Sequence, residues 1–242
     1  MSRIAIISDI HANLEALQAV LNDIQLMNCD NIACLGDIVG YNANPVECLD
    51  IIRSINCPVV KGNHDEEAYG TNTPVGMNPI AYAALMWTRK TLNTEQKEWL
   101  SRLRMVRNVP PFTIVHSTLD QPGLWHYIVN KFDAVSNFNF QFTNICFHGH
   151  THVPKIFIYE NTVASEYEAS DFCPEKGKKY FVNVGSVGQP RDGDWRASYC
   201  VYDTDQSVIY FRRVEYDIAT TQQKILAAGL PSMLAERLAK GI

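Results

Sequence analysis

The stretch RIAIISDIH, residues 3–11, begins with a near-continuous apolar run and ends in side chains of the kind that bind metals. Apolar residues then recur at helical spacing, at Leu14, Leu17, Val20, Leu21 and Ile24. A short apolar run followed by this periodicity predicts a buried strand and then an amphipathic helix packed on it.

The same alternation continues along the chain. A second apolar run at residues 32–35 ends at Gly36-Asp37. Helical periodicity at residues 45–55 follows, and a third run at residues 58–61 ends at Gly62-Asn63. Strands that alternate with helices in this way predict a parallel sheet with right-handed crossovers.

Metal-type side chains follow the predicted strands. Ligands of a parallel sheet gather beyond the carboxyl ends of its strands. The candidate metal ligands placed there are Asp9, His11, Asp37, Asn63, His116, His150 and His152. Any one of these motifs is a weak signal, but six of the seven histidines of the chain fall in such segments. Their conjunction predicts a dinuclear metal site. Nitrogen and oxygen ligands without sulfur suit two divalent transition metals (Mn, Fe, Zn or Ni), with manganese favoured.

The remaining pattern completes the predicted architecture. Residues 77–104 have helical periodicity, and residues 118–143 suit a loop or short helix over the mouth of the site. Later predicted strands lack intervening helices, so a second, antiparallel-leaning sheet is expected to pack on the first; they lie at 155–160, 180–184, 197–203 and 207–214. The predicted fold is α/β, a four-layer, two-sheet β-sandwich flanked by helices. We expect a single domain, 1–242, with a helical insertion at about 77–104 and a helical tail at about 217–240.

Composition excludes several classes of protein. A formal charge of -5 without a run of lysine or arginine disfavours a partner such as extended DNA or RNA. We expect no membrane span and no leader segment at the N-terminus. The seven cysteines are odd in number and form no CxxC pair, which favours reduced thiols and a cytoplasmic location. The sequence leaves open whether the chain is a homo-oligomer.

Three further residues are candidates for substrate binding. Trp125 and Tyr127 could stack on a nucleobase or an aryl leaving group, with ordinary packing as the alternative. Arg191 lies in a glycine-rich loop and offers a bidentate fork for phosphate. The alternative for Arg191 is a structural ion pair with Asp192 or Asp194.

The motifs DIH, GDIVGY, GNHD, VHS and GHTH resemble, in order and spacing, the five motifs of calcineurin-like metallophosphoesterases, and the resemblance covers about residues 1–190. It implies one metal held by Asp9, His11, Asp37 and His152. It implies a second held by Asp37, Asn63, His116 and His150, so that Asp37 bridges the two. His64, beside a ligand, becomes the candidate catalytic residue that stabilises the transition state or protonates the leaving oxygen.

Two departures from the pattern of this family narrow the range of expected substrates. Protein phosphatases and diadenosine tetraphosphatases carry an arginine shortly after the GD motif, whereas this chain has Gly40 and Tyr41 there. Protein phosphatases also use an aspartate at the position of Gly40 to orient the catalytic histidine. The orienting partner of His64 is therefore open, although Asp65 is adjacent.

The resemblance implies a hydrolase that cleaves a small phosphate ester, a diester more readily than a monoester, by attack of a metal-bridging hydroxide. The alternatives are a catalytically silent scaffold that binds a protein partner, and a nuclease. An intact His64 and a full set of ligands argue against the scaffold. The acidic charge argues against the nuclease.

Overall fold

The opening run forms the strand and helix that its pattern predicts. In the computed structural model, which describes residues 3–72 and 77–242, strand β1 spans Arg3–Ile7 and helix α1 spans Leu14–Leu26. The Asn13 side chain caps α1 by accepting a hydrogen bond from the Ala16 amide at 3.1 Å. This cap ends the loop that carries Asp9 and fixes where the helix begins.

Nine further strands and seven further helices follow in the described residues. The strands are β2 (Asn31–Cys34), β3 (Val106–Val109), β4 (Phe112–Val115), β5 (Ile145–His148), β6 (Lys155–Glu160), β7 (Val163–Glu168), β8 (Lys179–Asn183), β9 (Ala197–Asp203) and β10 (Val208–Val214). The helices are α2 (Pro45–Ile55), α3 (Asn63–Tyr69), α4 (Pro79–Thr91), α5 (Thr94–Ser101), α6 (Lys131–Phe140), α7 (Ile218–Ala227) and α8 (Ser232–Leu238). No described helix has the length and apolar content needed to cross a membrane.

The strands form two mixed sheets. The first has the order β10-β9-β1-β2, with β1 parallel to β2 and antiparallel to β9. The second has the order β3-β4-β5-β8-β6-β7, and its β4, β5 and β8 are parallel. The parallel strands carry the candidate ligands, whereas the antiparallel strands extend each sheet away from the site.

The sheets pack face to face because the side chains of β1 alternate. Ile4 and Ile6 pack against the second sheet, whereas Ala5 and Ile7 face α1 and α2 on the opposite side. Helix α6 covers the outer face of the second sheet, where Phe138 is buried among side chains of that sheet. These layers confirm the predicted sandwich flanked by helices.

Helices α4, α7 and α8 form a separate apolar cluster beside the site. Ala84 of α4, Ile225 of α7 and Leu234 of α8 are buried together, and the half-buried Tyr41 packs against them. The C-terminal helices therefore lie next to the loop that follows β2.

One sequence prediction needs correction. Residues 58–61 make only isolated bridges, Val59 to Cys34 and Val60 to Arg104, because Pro58 has no amide hydrogen and the chain enters α3 directly at Asn63. The segment 118–143 contains a ten-residue helix, α6, whose start is capped by Asn130. Edge strand β7 was not predicted, because its exposed polar residues lack a buried apolar face.

Candidate metal centre

The predicted ligands converge at one end of the sandwich. Asp9 follows β1, Asp37 follows β2, His116 follows β4, and His150 and His152 follow β5. All five side chains are buried. Parallel strands bring their carboxyl ends to the same edge, so loops distant in sequence meet there.

The first group of donor atoms comes from Asp9, His11 and His152. Asp9 Oδ1 lies 3.2 Å from His152 Nε2 and 3.7 Å from His11 Nε2. The two imidazole nitrogens are 3.1 Å apart. Asp37 Oδ2 completes the group at 3.6 Å from His11 Nε2. This is the ligand set that the family resemblance assigns to one metal.

The second group is centred on His116 Nε2. That atom lies 3.3 Å from Asp37 Oδ2, 3.2 Å from Asn63 Oδ1 and 3.1 Å from His150 Nδ1. Asp37 Oδ2 therefore stands between the two groups, which is the position that a bridging carboxylate requires.

Backbone carbonyls orient all four histidines of these groups. His11 Nδ1 donates to Val39 O at 3.1 Å and His116 Nδ1 to Leu35 O at 2.9 Å. His152 Nδ1 donates to Gln189 O at 2.6 Å, and His150 Nε2 donates to Trp125 O at 2.9 Å; each of these pairs places the second ring nitrogen toward the donor groups. A carbonyl can only accept, so the nitrogen facing it carries the hydrogen and the other presents a lone pair. Four lone pairs directed into one buried site fit divalent cations.

The charges of the site also fit cations. Although burial opposes ionisation, His152 and His116 hold the pKa of Asp9 well below its ordinary value. Asp9 Oδ2 accepts from Ser8 Oγ and from the His150 amide, but the buried Asp9 Oδ1 has no hydrogen-bond partner among the described residues. Against the effect of burial, Asp37 and Asp9 raise the pKa of His116 to about 9, so without a cation this ring would hold a second proton in place of its lone pair. Two buried carboxylates thus attract positive charge, which bound metal ions would supply.

The loops that hold the ligands follow unusual backbone paths. Five candidate ligands have a positive φ: Asp9, His11, Asp37, His150 and His152. Such conformations each cost on the order of 1–3 kcal/mol and concentrate at functional sites. A side chain at Gly149 would place its Cβ 2.3 Å from Asp9 Oδ2, and one at Gly62 would place it 2.1 Å from Asp37 Oδ1. Glycine is therefore required where these loops pass the carboxylates.

His64 is buried beside the first group and has a free ring. Its ring centroid lies 4.9 Å from that of His11 and 4.4 Å from that of Tyr41, and its ring makes no hydrogen bond within residues 3–72 and 77–242. Gly40 makes room for it, since a Cβ there would lie 2.7 Å from His64 Nδ1. Burial lowers the pKa of His64 to about 4, so the ring is neutral at pH 7.

Asp65 is not the orienting partner of His64. Its carboxylate accepts hydrogen bonds from the amides of Ile38 at 2.9 Å and Gly62 at 3.1 Å, so it ties the two ligand loops together. Packing of the His64 ring between His11 and Tyr41 takes the place of an orienting hydrogen bond.

Arg191 is not paired with its neighbouring carboxylates. Asp192 pairs with Arg213, and Asp194 pairs with Arg196. The Arg191 guanidinium instead lies 5.7 Å from the centre of the Tyr41 ring, and its Nη2 donates to Gln189 Oε1 at 2.8 Å. Burial lowers the pKa of His152, and the positive charge of Arg191 lowers it further. Arg191 therefore lies beside the candidate centre.

Trp125 and Tyr127 contact a candidate ligand. Trp125 accepts from His150 through its carbonyl, and its indole Nε1 donates to Glu66 Oε2 at 3.0 Å. The Tyr127 ring stacks on His150 with centroids 4.3 Å apart, although 56% of Tyr127 remains exposed. Both residues therefore support the orientation of His150, and Tyr127 also lies at the surface.

Sequence reasoning missed the part played by Tyr41. It noted this residue only as a departure from a family pattern, yet the Tyr41 ring contacts both His11 and His64. Its position directly after Gly40, at the end of a ligand loop, was the available signal. His148, in contrast, is a buried residue of β5 whose ring stacks on that of Phe181, with centroids 4.2 Å apart.

Comparison with known proteins identifies the family to which the chain belongs. Residues 2–207 match the family described as the calcineurin-like phosphoesterase superfamily domain. The chain belongs to this family. It is a metal-dependent phosphoesterase, as the clusters of histidine and aspartate also indicate.

Several known proteins are similar to this chain over nearly its whole length. An uncharacterized protein of Methanocaldococcus jannaschii is 41% identical over 99% of this chain and 98% of its own length. A metallophosphoesterase from Sphaerobacter thermophilus, of known crystal structure, is 41% identical with a TM-score of 0.88, covering 99% of this chain and 100% of its own. A Pyrococcus horikoshii protein shares the fold at 19% identity and a TM-score of 0.81, covering 100% of this chain and 99% of its own.

Proposed function

We propose that this phosphoesterase hydrolyses a small phosphate ester, a diester more readily than a monoester, at a centre for two divalent transition metals. The observation that carries the proposal is the pair of donor groups joined at Asp37 Oδ2, which lies 3.6 Å from His11 Nε2 and 3.3 Å from His116 Nε2. The remaining donors divide as the family resemblance implies. Nitrogen and oxygen donors without sulfur suit manganese, iron, zinc or nickel, and among these we propose manganese first.

The metals and the protein would contribute different parts of the chemistry. Two bound dications would neutralise phosphoryl oxygens and acidify a water molecule to serve as the nucleophile. The protein orients the imidazoles through backbone carbonyls and excludes solvent from Asp9 and Asp37, which are buried. Water exclusion strengthens the electrostatic interactions within the site.

His64 acts on the substrate as a neutral hydrogen-bond donor. Its pKa, lowered by burial to about 4, leaves little imidazolium at pH 7. A neutral imidazole can still donate its N–H to the leaving oxygen as negative charge develops there. The free ring and its place beside the first donor group support this part of the proposal.

Arg191 holds a non-bridging oxygen of the substrate. Its buried Nε has no hydrogen-bond partner, and no carboxylate pairs with it among the described residues. A single arginine at the centre suits a singly charged diester better than a doubly charged monoester. Tyr127, with its exposed ring next to His150, is positioned to contact an aryl or nucleobase group.

We also propose that the partner is a small molecule and that the protein is cytoplasmic. The formal charge of -5 favours a small phosphorylated molecule over extended nucleic acid. All seven cysteines are unpaired, which suits a reducing, cytoplasmic compartment. The complete donor set and the free His64 ring favour a hydrolase over a silent scaffold.

One screen tests the proposal. Protein loaded with manganese, and separately with zinc, is assayed against phosphomonoesters, cyclic nucleotides, dinucleotides and an aryl phosphodiester, and its metal content is measured. We expect about two metals per chain and faster turnover of diesters. Turnover of none of these substrates by protein that holds two metals would contradict it.

A further inference from the structure

The loop after β8, residues 184–192, carries Gln189, a polar residue with no exposed surface. Its main chain is fixed from two sides. The amide of Gln189 donates to Ser186 Oγ at 2.9 Å, and its carbonyl accepts from His152 Nδ1 at 2.6 Å. Ser186 Oγ in turn donates to the carbonyl of Asp9 at 2.8 Å. Gln189 is therefore held against the loops of two candidate metal ligands.

This loop packs directly on the loop after β1. The amide of Gly188 donates to the carbonyl of Asp9 at 2.9 Å, and that of Val187 donates to the carbonyl of Ser8 at 2.9 Å. A Cβ at Gly188 would lie 1.8 Å from the carbonyl oxygen of Ile10, so only glycine allows this approach. The close packing gives the Gln189 side chain a fixed origin beside the candidate centre.

The Gln189 side chain binds Arg191. Its Oε1 accepts a hydrogen bond from Arg191 Nη2 at 2.8 Å. A guanidinium can only donate, so the oxygen of the Gln189 amide is the atom that faces it. The main-chain amide of Arg191 also donates to the carbonyl of His152 at 3.2 Å. Arg191 is thus connected to the candidate centre through both its main chain and its side chain.

The Arg191 guanidinium lies close to the candidate catalytic residue. It is 5.7 Å from the centre of the Tyr41 ring, and that ring lies 4.4 Å from the ring of His64. Arg191 Nε and Gln189 Nε2 are buried and have no hydrogen-bond partner among the described residues. These two N–H donors therefore remain available to an oxygen acceptor such as a phosphoryl group.

The partner of Arg191 is neutral, which distinguishes it from other arginines of the chain. Arg212 is fixed by the carboxylate of Asp23, and Arg213 by that of Asp192. A carboxylate partner would cancel much of the positive charge that a guanidinium presents to a substrate, whereas an amide fixes the guanidinium and leaves its charge. Arg191 is therefore both held in place and fully charged.

We propose that Gln189 is a positioning residue, which holds the Arg191 guanidinium in place to bind a non-bridging oxygen of the substrate. Because the arginine side chain is ordered before the substrate arrives, binding does not have to order it. Because Gln189 is neutral, the charge of Arg191 acts on the phosphoryl group. The inference rests on the proposed function, since it requires that Arg191 contacts the substrate.

Gln189→Met tests the contact, because methionine has a similar size but no strong acceptor for Arg191. Metal-loaded full-length Gln189→Met should lose about 10–100-fold in kcat/KM for an aryl phosphodiester, the range of a hydrogen bond to a charged group. It should change the same constant, KM or kcat, that Arg191→Ala changes. In the Arg191→Ala background it should change kcat/KM by less than about twofold, because its effect passes through Arg191. Additive losses would overturn the inference.

Gln189→Glu separates positioning from structural support. The carboxylate keeps an acceptor for Arg191 Nη2, so a merely structural role predicts parent-like kinetics. The inference instead predicts a loss of about tenfold or more in kcat/KM with thermal stability kept, because the new ion pair neutralises the charge that the substrate meets. Parent-like kinetics of Gln189→Glu would overturn the inference.

Gln141→Met is the matched control. Gln141 is also buried, and its Nε2 donates to the carbonyls of Thr143 and Tyr180, near the start of β8 and away from the candidate centre. This variant should lose stability and keep kcat/KM. Metal content is measured in every variant, because Gln189→Met keeps the main-chain carbonyl that orients His152. Loss of metal in Gln189→Met would assign Gln189 to the support of His152 and overturn the inference.

Binding of inorganic phosphate separates failure of the inference from failure of the proposed function. If the parent protein hydrolyses no ester of the screen, the proposed function is wrong, and phosphate is titrated calorimetrically into manganese-loaded parent and variants. Weaker phosphate binding in Gln189→Met, with no further loss when it is added to Arg191→Ala, supports the inference. Equal phosphate affinity of the parent and Gln189→Met overturns it.

Discussion

His11 Nε2 and His152 Nε2 lie 3.1 Å apart, although 141 positions separate the two residues in the chain. The opposite nitrogen of each ring donates to a backbone carbonyl, of Val39 and Gln189 respectively. Two lone pairs therefore face each other in a buried site, an arrangement that is repulsive until a cation lies between them. This contact makes the metal content of the protein the first quantity to measure.

Asp37→Asn should lower the metal content and abolish hydrolysis, because Asp37 Oδ2 lies nearer than Asp9 Oδ1 to both His11 Nε2, at 3.6 against 3.7 Å, and His116 Nε2, at 3.3 against 4.0 Å. The amide keeps the shape of the side chain but loses its charge. Elemental analysis of purified protein measures the effect. Asp50→Asn, on the exposed side of α2, serves as control and should keep both metals. Two tightly bound metals in Asp37→Asn would show that the ligand assignment is wrong.

His64→Ala should keep both metals and lower kcat by roughly 10²–10⁴-fold, as expected of a positioned proton donor. Because the pKa of His64 is lowered to about 4, activity should not decline between pH 6 and 8 through titration of this residue. His126→Ala is a matched control, since His126 is an exposed histidine of the neighbouring loop. Full activity of metal-loaded His64→Ala would remove His64 from the mechanism.

Arg191→Ala should impair catalysis without loss of stability, because its guanidinium has no carboxylate partner in the described structure. If Arg191 binds ground state and transition state equally, KM rises; if it acts only in the transition state, kcat falls. Steady-state kinetics and thermal denaturation are measured together, with Arg102→Ala, an exposed arginine, as control. Parent-like kinetics would refute the contact with substrate.

Gly149→Ala should weaken metal binding, because the new Cβ would lie 2.1 Å from Ser8 Oγ and 2.3 Å from Asp9 Oδ2. The β1 loop must then move, which displaces Asp9 from the first donor group. Gly123→Ala is the control, since the nearest atom to its Cβ, Met105 Cε, is 3.9 Å away. Titration with manganese compares the two affinities, and equal values would contradict the prediction.

Asp23→Asn should destabilise the protein near pH 7 by about 1 kcal/mol, allowing for solvent screening of a partly exposed pair. Against the effect of burial, Arg212 and Tyr199 lower the pKa of Asp23 in the folded state. The stabilisation is therefore present above the unfolded pKa of about 3.9 and is lost as pH falls through the folded pKa. Urea denaturation at several pH values should show the difference between variant and parent disappear in acid.

The convergence of the candidate ligands could be predicted because each lies within a few residues after an apolar run, and this relationship is visible in the local sequence. The buried strands β1 and β4 were predictable for the same reason. The apolar cluster of α4, α7 and α8 was not, because it forms only when helices distant in sequence pack together, and no local pattern predicts that contact. The hydrogen bonds between the imidazoles and backbone carbonyls could not be predicted either, because every residue type has a carbonyl.

The use of backbone carbonyls as acceptors affects how the protein tolerates sequence change. The four acceptors belong to the backbone of Leu35, Val39, Trp125 and Gln189, so substitution of these side chains leaves each acceptor atom in place. Imidazole orientation thus depends on the path of the main chain, and these four side chains affect it only through the packing that holds this path, since Leu35, Val39 and Gln189 are buried. Substitutions that would disturb the orientation fall instead at glycines such as Gly62 and Gly149, where one added methyl group would change the path of the main chain.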